Sequence, residues 1–454
     1  MLMFEQIIDS INAVVWGPLM LILLLGTGIF LTIGLRGMTI ARIPYAFRQL
    51  FKGRKGSGEG EISPFNALMT ALSSTVGTGN IAGVATAIGI GGPGALFWMW
   101  CTAVVGMATK YAEAVLAVKF RETDNTGKKV GGPMYYIKNG LGQRWKPLAI
   151  LFALFGSLAG FGLANTVQSN TVSQVLLNNF AIPTVASGLI MTLLVALVLL
   201  GGIKRIANVA GKLVPLMAII YLLSTLIILA MHITEIPSAL WLIVDSAFNG
   251  SAATGGFAGA TVMLALRMGV SRGIFSNESG LGSAPIAHAA AETNSPVRQG
   301  TIAMLGTFID TLIICTMTGL VLIVTGLWNS DLQGAAMTLQ VFDNNLPLGG
   351  SILAICIALF AFTTMLGWSY YGERCAQFLF GAKIVIPFRV LWVIGIFVGT
   401  QMSLGMVWKM SDALNGLMAI PNLIALLLLS PVVFKLTRQY FAQDSAQAQT
   451  TGEK

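Results

Sequence analysis

Apolar stretches of about 20 residues recur from one end of this 454-residue chain to the other, with short polar loops between them. A helix of that length covers about 30 Å of hydrocarbon, where backbone N–H and C=O groups must be satisfied within the segment itself. The chain therefore reads as an all-α polytopic membrane protein. Only 10% of its residues are charged against 55% hydrophobic, whereas soluble domains carry roughly 25% charged residues. About eleven spans are expected, near residues 15–35, 64–90, 94–118, 148–178, 183–201, 213–232, 257–290, 299–327, 349–372, 385–407 and 411–434. The opening "MLMFEQIIDSINAVVWG" carries Glu5 and Asp9 and no basic region, so it does not read as a cleaved signal peptide.

The net charge of +9 is placed by the loops. Arg36, Arg42, Arg48, Lys52, Arg54 and Lys55 fill the first loop. Lys119, Arg121, Lys128, Lys129, Lys138, Arg144 and Lys146 fill the third, and Lys204, Arg205 and Lys212 the fifth. Loops of the other parity hold Glu235, Asp245, Asp331 and Asp343, with Lys409 the exception. Basic loops face the cytoplasm, so a bacterial inner-membrane protein is expected with its N-terminus outside and its C-terminus inside. That placement leaves no nucleic-acid surface. The polar tail, residues 435–454, is expected to be disordered. Cys101, Cys315, Cys356 and Cys375 fall in or beside spans and form no CxxC. With only His232 and His288 and no HExxH, no disulfide, zinc site, cofactor or enzyme is expected.

Two stretches break the apolar pattern. Ser74-Thr75-Val76-Gly77-Thr78-Gly79-Asn80 aligns with Asn277-Glu278-Ser279-Gly280-Leu281-Gly282-Ser283: a small polar residue, two residues, Gly-x-Gly, and a small polar residue. Pro93 and Pro296 each follow the first glycine by sixteen residues. Each copy opens a set of five spans, so the second set enters from the opposite side: a five-plus-five inverted repeat with one extra N-terminal helix. The expected division is 1–63 (N-terminal span and basic loop), 64–232 (first repeat), 250–434 (second repeat) and 435–454 (tail). Broken helices at matching positions of inverted repeats point to a transporter's binding site. A half-helix N-terminus suits a carboxylate, and freed carbonyls and hydroxyls suit a small hard cation. Small residues also serve close helix packing; two motifs in register weigh toward binding.

"GGPGALFWMWCTAVVG" (Gly91 to Gly106), "STVGTGNIAGVA" before it and "FSNESGLGSAPIAHA" later resemble the alanine or glycine:cation symporter family. The resemblance extends over the whole chain. It implies a leucine-transporter-like fold and sodium- or proton-coupled uptake of small neutral amino acids, chiefly alanine and glycine, with Na+ as coupling ion. It also implies residue roles. The Thr78 and Gly79 amides would hold the substrate carboxylate. The carbonyls of Ser73 and Val76, the carbonyl of Phe360 and the hydroxyls of Thr363 and Thr364 would hold Na+. Thr75 and Asn80 would belong to a second sodium site.

Asn165, Gln168 and Asn170 are costly in lipid and should face the bundle interior. Gln168 is expected to read the substrate's polar end, and Asn165 and Gln174 to bridge helices. Phe275, Ser276 and Asn277 are expected at the second break, with carbonyls for the ammonium group and the Phe275 ring capping the side-chain pocket. Trp368 shares a face with Thr364 and would restrict the pocket to small side chains. Of the intramembrane charges Lys110, Glu113, Arg267, Arg272, Glu278 and Asp310, the first two are three apart and positioned to pair. Pairing or gating is expected of this group rather than substrate contact. The expected partners are a small neutral amino acid, Na+ and the bilayer, with no obligatory protein partner. The competing readings are a proton-coupled carrier, a channel, which would need a ring of repeated filter segments, and a membrane enzyme, for which no catalytic constellation is present.

Overall fold

The structure is a computed structural model that describes residues 2–249, 262–402 and 404–451. Among the described residues the regular structure is helical apart from a two-residue-per-strand hairpin, β1 (Glu122–Thr123) with β2 (Lys129–Val130), paired antiparallel with Glu122 opposite Val130. The helices are α1 (Leu2–Val15), α2 (Pro18–Gly34), α3 (Ile43–Lys52), α4 (Pro64–Thr75), α5 (Ala82–Gly91) and α6 (Gly94–Lys119). Next come α7 (Lys146–Ala159) and α8 (Val167–Phe180), joined by a π-helical segment Gly160–Thr166, then α9 (Thr184–Leu199), α10 (Gly202–Met231) and α11 (Ile236–Asn249). The remainder comprises α12 (Val262–Asn277), α13 (Ala284–Ala289), α14 (Pro296–Thr307) and α15 (Thr316–Val324), the last two joined by a π-helical segment Phe308–Cys315, then α16 (Ala335–Asn345), α17 (Gly349–Phe380), α18 (Val385–Gln401) and α19 (Leu404–Thr451).

Eight helices among the described residues are long and apolar enough to cross a membrane, and α9 is a shorter apolar one. Outer helices show the hydrocarbon its side chains. Leu189, Ile190, Leu193 and Leu197 on α9, and Ile386, Val390, Leu391 and Ile394 on α18, are exposed, an arrangement unfavourable in water and suited to lipid. The inner layer is formed by α4, α6, α12, α14 and α17, which pack on one another.

Two segments of this inner layer are interrupted. Ser63 caps α4 by accepting the Asn66 N–H, and Pro64 starts the helix. The helix stops at Thr75: Val76 turns to ψ 93° and Gly77 is extended, one 3-10 turn spans Thr78–Asn80, and α5 resumes at Ala82. The second interruption lies slightly later than the sequence suggests. Phe275, Ser276 and Asn277 form the last turn of α12, and the break occupies Glu278–Ser283. Gly280 (φ 90°) and Gly282 (φ 80°) take conformations an L side chain resists, so the chain turns where its glycines allow it. Both interruptions are buried, as non-helical backbone at membrane depth must be.

Two further differences concern the ends. The first span begins near Gln6 rather than residue 15. The C-terminal segment, expected to be disordered, continues α19 as helix to Thr451, in keeping with an Ala- and Gln-rich sequence of good helix formers. The first residues of the expected span 257–290 lie outside the described residues.

Candidate functional site

The two interruptions face one cavity. Ser74, Thr75, Gly77 and Gly79 from the first, Phe275 and Glu278 from the second, Leu163 and Gln168 from the π segment and α8, and Thr364 from α17 line it. It measures about 10 Å³, room for about one water molecule. Admitting an amino acid requires these walls to part. A larger cleft of about 730 Å³, lined by Asp124, Lys138 and Gln377 among others, opens at the loops and reaches neither interruption.

On the α17 side, Thr363 Oγ1 and Thr364 Oγ1 both donate to the Phe360 carbonyl, each at 3.0 Å. This is the back-bonding expected of threonines in an apolar helix. It still groups three oxygens, and a hydroxyl that donates keeps lone pairs for a cation. Thr364 opens into the cavity, whereas Thr363 also meets Met217 Sδ at 3.5 Å and faces α10. The end of α4 is pressed against these groups. A Cβ built on Gly77 would lie 2.7 Å from Thr364 Oγ1, and one on Gly367 would lie 2.8 Å from Ser73 Oγ. Ser73 Oγ itself donates to the Thr70 carbonyl at 2.8 Å. The Val76 carbonyl follows the last hydrogen-bonded N–H of α4, donated to Leu72.

On the other side, Gly79 approaches the Phe275 ring so closely that a Cβ would lie 3.3 Å from Phe275 Cδ1. Gln168 donates weakly to the Leu163 carbonyl at 3.4 Å, while Gln168 Oε1 and Thr78 Oγ1 are buried without a hydrogen-bond partner. Phe275 is stacked on Trp408 at 5.5 Å between centroids, and Arg272 lies over the same ring and pairs with Asp412 at 3.2 Å. Three expected contacts are placed differently. Ser276 Oγ donates to Asp310 Oδ2 at 2.8 Å, and Asn277 Nδ2 to Thr311 Oγ1 at 3.0 Å, so both side chains turn to the π segment rather than to the cavity. Trp368 sits behind the wall and donates its indole N–H to Glu278 Oε1 at 2.7 Å. Thr75 and Asn80 also part company. Thr75 lines the cavity, while Asn80 accepts the Gly77 N–H at 2.8 Å and donates to Asp310 Oδ1 at 2.6 Å.

Among the other polar residues of α8 and its neighbours, Asn165 donates to the Trp392 carbonyl and Asn170 to that of Gly399, bridging helices; Gln174 is exposed instead. The sequence missed what holds the interruptions. Lys110 and Glu113 make no direct ion pair and act on each other only through space: Lys110 Nζ makes no hydrogen bond, and Glu113 Oε1 accepts the Gly280 and Gly282 N–H groups, each at 3.1 Å, and Asn422 Nδ2 at 2.7 Å. Asp310 ties the first interruption to α12. Glu278, assigned to pairing or gating, belongs to the cavity wall. Rarity of charge within spans was the available signal; most of the partners were out of reach because they come from other helices, from 34 to 309 positions away.

The α4 and α13 ends are closed by backbone. Ser57 bridges Thr293 and Ile62 bridges Ala291. Arg121 donates to the carbonyls of Ala289, Ala291, Thr293 and Glu59 at 2.6–3.0 Å. Beside it, Lys129 at 2.5 Å from Glu59 holds that carboxyl below its usual range.

An all-helical membrane bundle with two buried interruptions sharing one polar cavity is the construction of a secondary transporter. Its fold is similar to that of MhsT in complex with L-phenylalanine (TM-score 0.60, 15% identity, 82% of this chain and 89% of that one). It is also similar to a Na+-coupled sialic acid symporter (TM-score 0.56, 13% identity, 87% and 86%). Over residues 1–454 the sequence matches the sodium:alanine symporter family, and the chain belongs to it. It is 51% identical over 444 residues to the sodium/alanine symporter AgcS of Methanococcus maripaludis (96% of this chain, 97% of that one). It is 52% identical over 441 residues to an uncharacterized transporter of Haemophilus influenzae (96% of each) and 39% identical to a probable sodium/glutamine symporter, GlnT, of Bacillus subtilis (97% and 92%). The activity of the family is sodium-coupled amino-acid symport, and the chain is a multi-pass membrane protein.

Proposed function

We propose that the protein carries alanine and glycine inward together with Na+ by alternating access, with both bound between the two interruptions. The observation that carries this is the cavity itself. Gly77, Gly79 and Thr364 meet across a space that closes to the size of one water molecule, as an occluded state between two openings requires. The Thr78 and Gly79 amides take the carboxylate at the N-terminal end of α5, Gln168 reaches the polar end of the solute, and Phe275 covers its side chain. Na+ bridges the carbonyls of Ser73, Val76 and Phe360 and the hydroxyls of Thr364 and Thr363, holding α4 against α17. Thr75 serves a second cation. Small size is enforced by the close approach of Gly79 to Phe275. A threonine pair does not titrate usefully, which favours Na+ over a proton.

The eight long helices, α9 and the two interrupted segments make eleven spans, arranged as the inverted repeat 64–232 and 250–434 behind the N-terminal span. The basic loops place the N-terminus outside and the C-terminus in the cytoplasm. One charge moving through 100 mV supplies about 2.3 kcal/mol, and a tenfold Na+ gradient about 1.4 kcal/mol. Together they sustain roughly 500-fold accumulation of a neutral solute.

Labelled-alanine uptake into proteoliposomes with a Na+ gradient, a pH gradient or neither is the direct test; uptake driven by pH alone overturns the coupling. Thr364→Val is expected to raise the Na+ concentration for half-maximal uptake about tenfold, the worth of one ligand at about 1.4 kcal/mol, with membrane insertion unaffected. Unchanged Na+ affinity would remove Thr364 from the site. Arg121→Ala loosens the backbone closure beside α13 and shifts population toward the cytoplasm-facing state. The KM for external alanine is expected to rise severalfold, since a shift of about 1 kcal/mol is a factor of about five. An unchanged KM would show that the bridges at Ser57 and Ile62 hold without it.

A further inference from the structure

We propose that Glu278 is the counter-ion of the α-ammonium group of the transported amino acid, a role that rests on the reading above that a small zwitterion binds between the interruptions. Glu278 takes φ 56°, a left-handed conformation that a side chain of this size adopts only when its surroundings impose it. That conformation sets it in the wall of the cavity that Gly77, Gly79, Gln168 and Phe275 line. The residue is 1% exposed.

Both carboxylate oxygens are held as acceptors. Oε1 takes the Trp368 indole N–H at 2.7 Å, and Oε2 takes the Ser283 hydroxyl at 2.5 Å. An indole N–H only donates, so Oε1 stays an acceptor and keeps a lone pair for a further donor. Among the described residues no cation stands within direct ion-pair distance of this carboxylate; the Lys110 ammonium lies near enough to act on it through space and hydrogen-bonds nothing. Lys110 is a single positive charge facing three buried carboxylates, Glu113, Glu278 and Asp310, so the group is short of positive charge, and a buried carboxylate that is not fully compensated is costly. In a transporter that charge arrives with the solute.

Polarity decides which end of the solute meets it. The amides that open α5 present the positive end of a helix dipole to the cavity, and a carboxylate belongs there. Across the cavity α12 ends at Asn277, so its carbonyls and the Glu278 carboxylate together make the negative pole. A zwitterion laid between the poles compensates both. L-Lactate has the same carboxylate and methyl group but a hydroxyl in place of the ammonium, and it leaves Glu278 uncompensated. Glu278 is therefore the residue that selects amino acids over hydroxy acids of the same shape, with Trp368 and Ser283 as its positioning residues. A site built around a buried polar partner rejects the analogue that lacks it far more strongly than a merely apolar pocket does.

The test is binding of tritiated alanine to the purified full chain at saturating Na+, with competition by unlabelled alanine and by L-lactate, in the wild type, Glu278→Gln and Trp368→Phe. Glu278→Gln is expected to weaken alanine about 50-fold, within the range for truncating one partner of a buried charge pair. Lactate affinity should be little changed, so that the alanine-to-lactate preference collapses, and Na+ half-saturation should stay within about threefold. Trp368→Phe, which keeps an aromatic ring and drops the donor, is expected to reduce the same preference by about fivefold, the worth of one hydrogen bond of about 1 kcal/mol. An unchanged preference in Glu278→Gln overturns the proposal, as does a loss of Na+ affinity equal to the loss for alanine, which would make Glu278 a sodium ligand instead. If Glu278→Gln does not fold, an unchanged preference in Trp368→Phe overturns it. A wild-type chain that binds no alanine in Na+ defeats the functional reading, and the proposal with it; wild-type binding with an intact preference in the variants defeats the proposal alone.

Discussion

Gly77→Ala is expected to lower sodium-driven alanine uptake by a factor of about 10³, or about 4 kcal/mol, while the protein still inserts and folds. Gly77 has an extended backbone that any residue adopts, so conformational strain is not the reason. Space is the reason. The added methyl group would lie 2.7 Å from Thr364 Oγ1 and 3.8 Å from Gln168 Nε2. The first is closer than real side-chain contacts allow, and neither α4 nor α17 is free to yield. A Cβ on Gly367 would stand 2.8 Å from Ser73 Oγ one turn away, so the two helices already touch along this seam. Overpacking of this kind costs typically 1–3 kcal/mol. The remainder comes from displacing the Thr364 hydroxyl from the Val76 carbonyl, the pair of oxygens proposed to share Na+. Gly83→Ala is the matched control: it sits inside α5 with nothing within 4 Å of its Cβ, and its uptake should equal or slightly exceed wild type, since alanine favours helix. Uptake kinetics in proteoliposomes decide the matter. A Gly77→Ala protein with near-normal Na+ dependence would show that α4 and α17 separate during binding and that no cation is held between them.

What was legible in the sequence was whatever rests on local rules. Long apolar runs announced the membrane spans, and Gly77, Gly79, Gly280 and Gly282 announced the interruptions, because helix cannot pass cheaply through such segments. Thr75, Thr364, Gln168 and Phe275 come to one cavity; Gln168 stands out as a polar group in an apolar span, and Thr75 and Thr364 through the family resemblance. What was not legible depends on partners distant in the chain. Nothing local distinguishes Ser276 and Asn277, which turn to Asp310 and Thr311, from Phe275, which faces the cavity. Helical spacing suggested that Lys110 pairs with Glu113, yet Glu113 Oε1 is turned to three N–H donors and Lys110 acts on it only through space. Phe275–Asn277 is the expected second break, yet the Gly-x-Gly pair aligned with Gly77 and Gly79 is Gly280 and Gly282, and the chain turns there. The first begins at a valine turned away from helix just before Gly77, whereas the second begins with Glu278 itself in a left-handed conformation.

That choice of partner makes Glu113→Ala the variant with the largest expected effect on stability. In the second interruption regular helical hydrogen bonding lapses after Glu278, whose N–H still reaches the Ile274 carbonyl, and the N–H groups of Gly280 and Gly282 both converge on Glu113 Oε1. Asn422 from α19 donates to the same oxygen and also to the Gly280 carbonyl, at 2.9 Å. One side chain from α6 thus satisfies two backbone donors of the interruption and ties it to α19. With alanine at position 113, the Gly280 and Gly282 N–H groups lose their acceptor, and Asn422 loses one of its two. An unsatisfied buried donor costs about 1–3 kcal/mol, so a loss of at least about 2 kcal/mol is expected, a large share of the 5–15 kcal/mol typical of folded proteins. Water cannot make this good at low cost in a segment where every residue from Phe275 to Ala290 is buried. Thermal unfolding of the purified chain should shift sharply downward, and uptake should be lost along with it. Glu113→Gln separates geometry from charge: its amide oxygen still accepts hydrogen bonds while the charge is gone, so it should recover much of the stability and part of the uptake. Wild-type unfolding in Glu113→Ala would mean that the interruption keeps its shape from its glycines and packing alone. In that case the matched Gly-x-Gly motifs would suffice to build a break in a membrane helix without an acid from the neighbouring one.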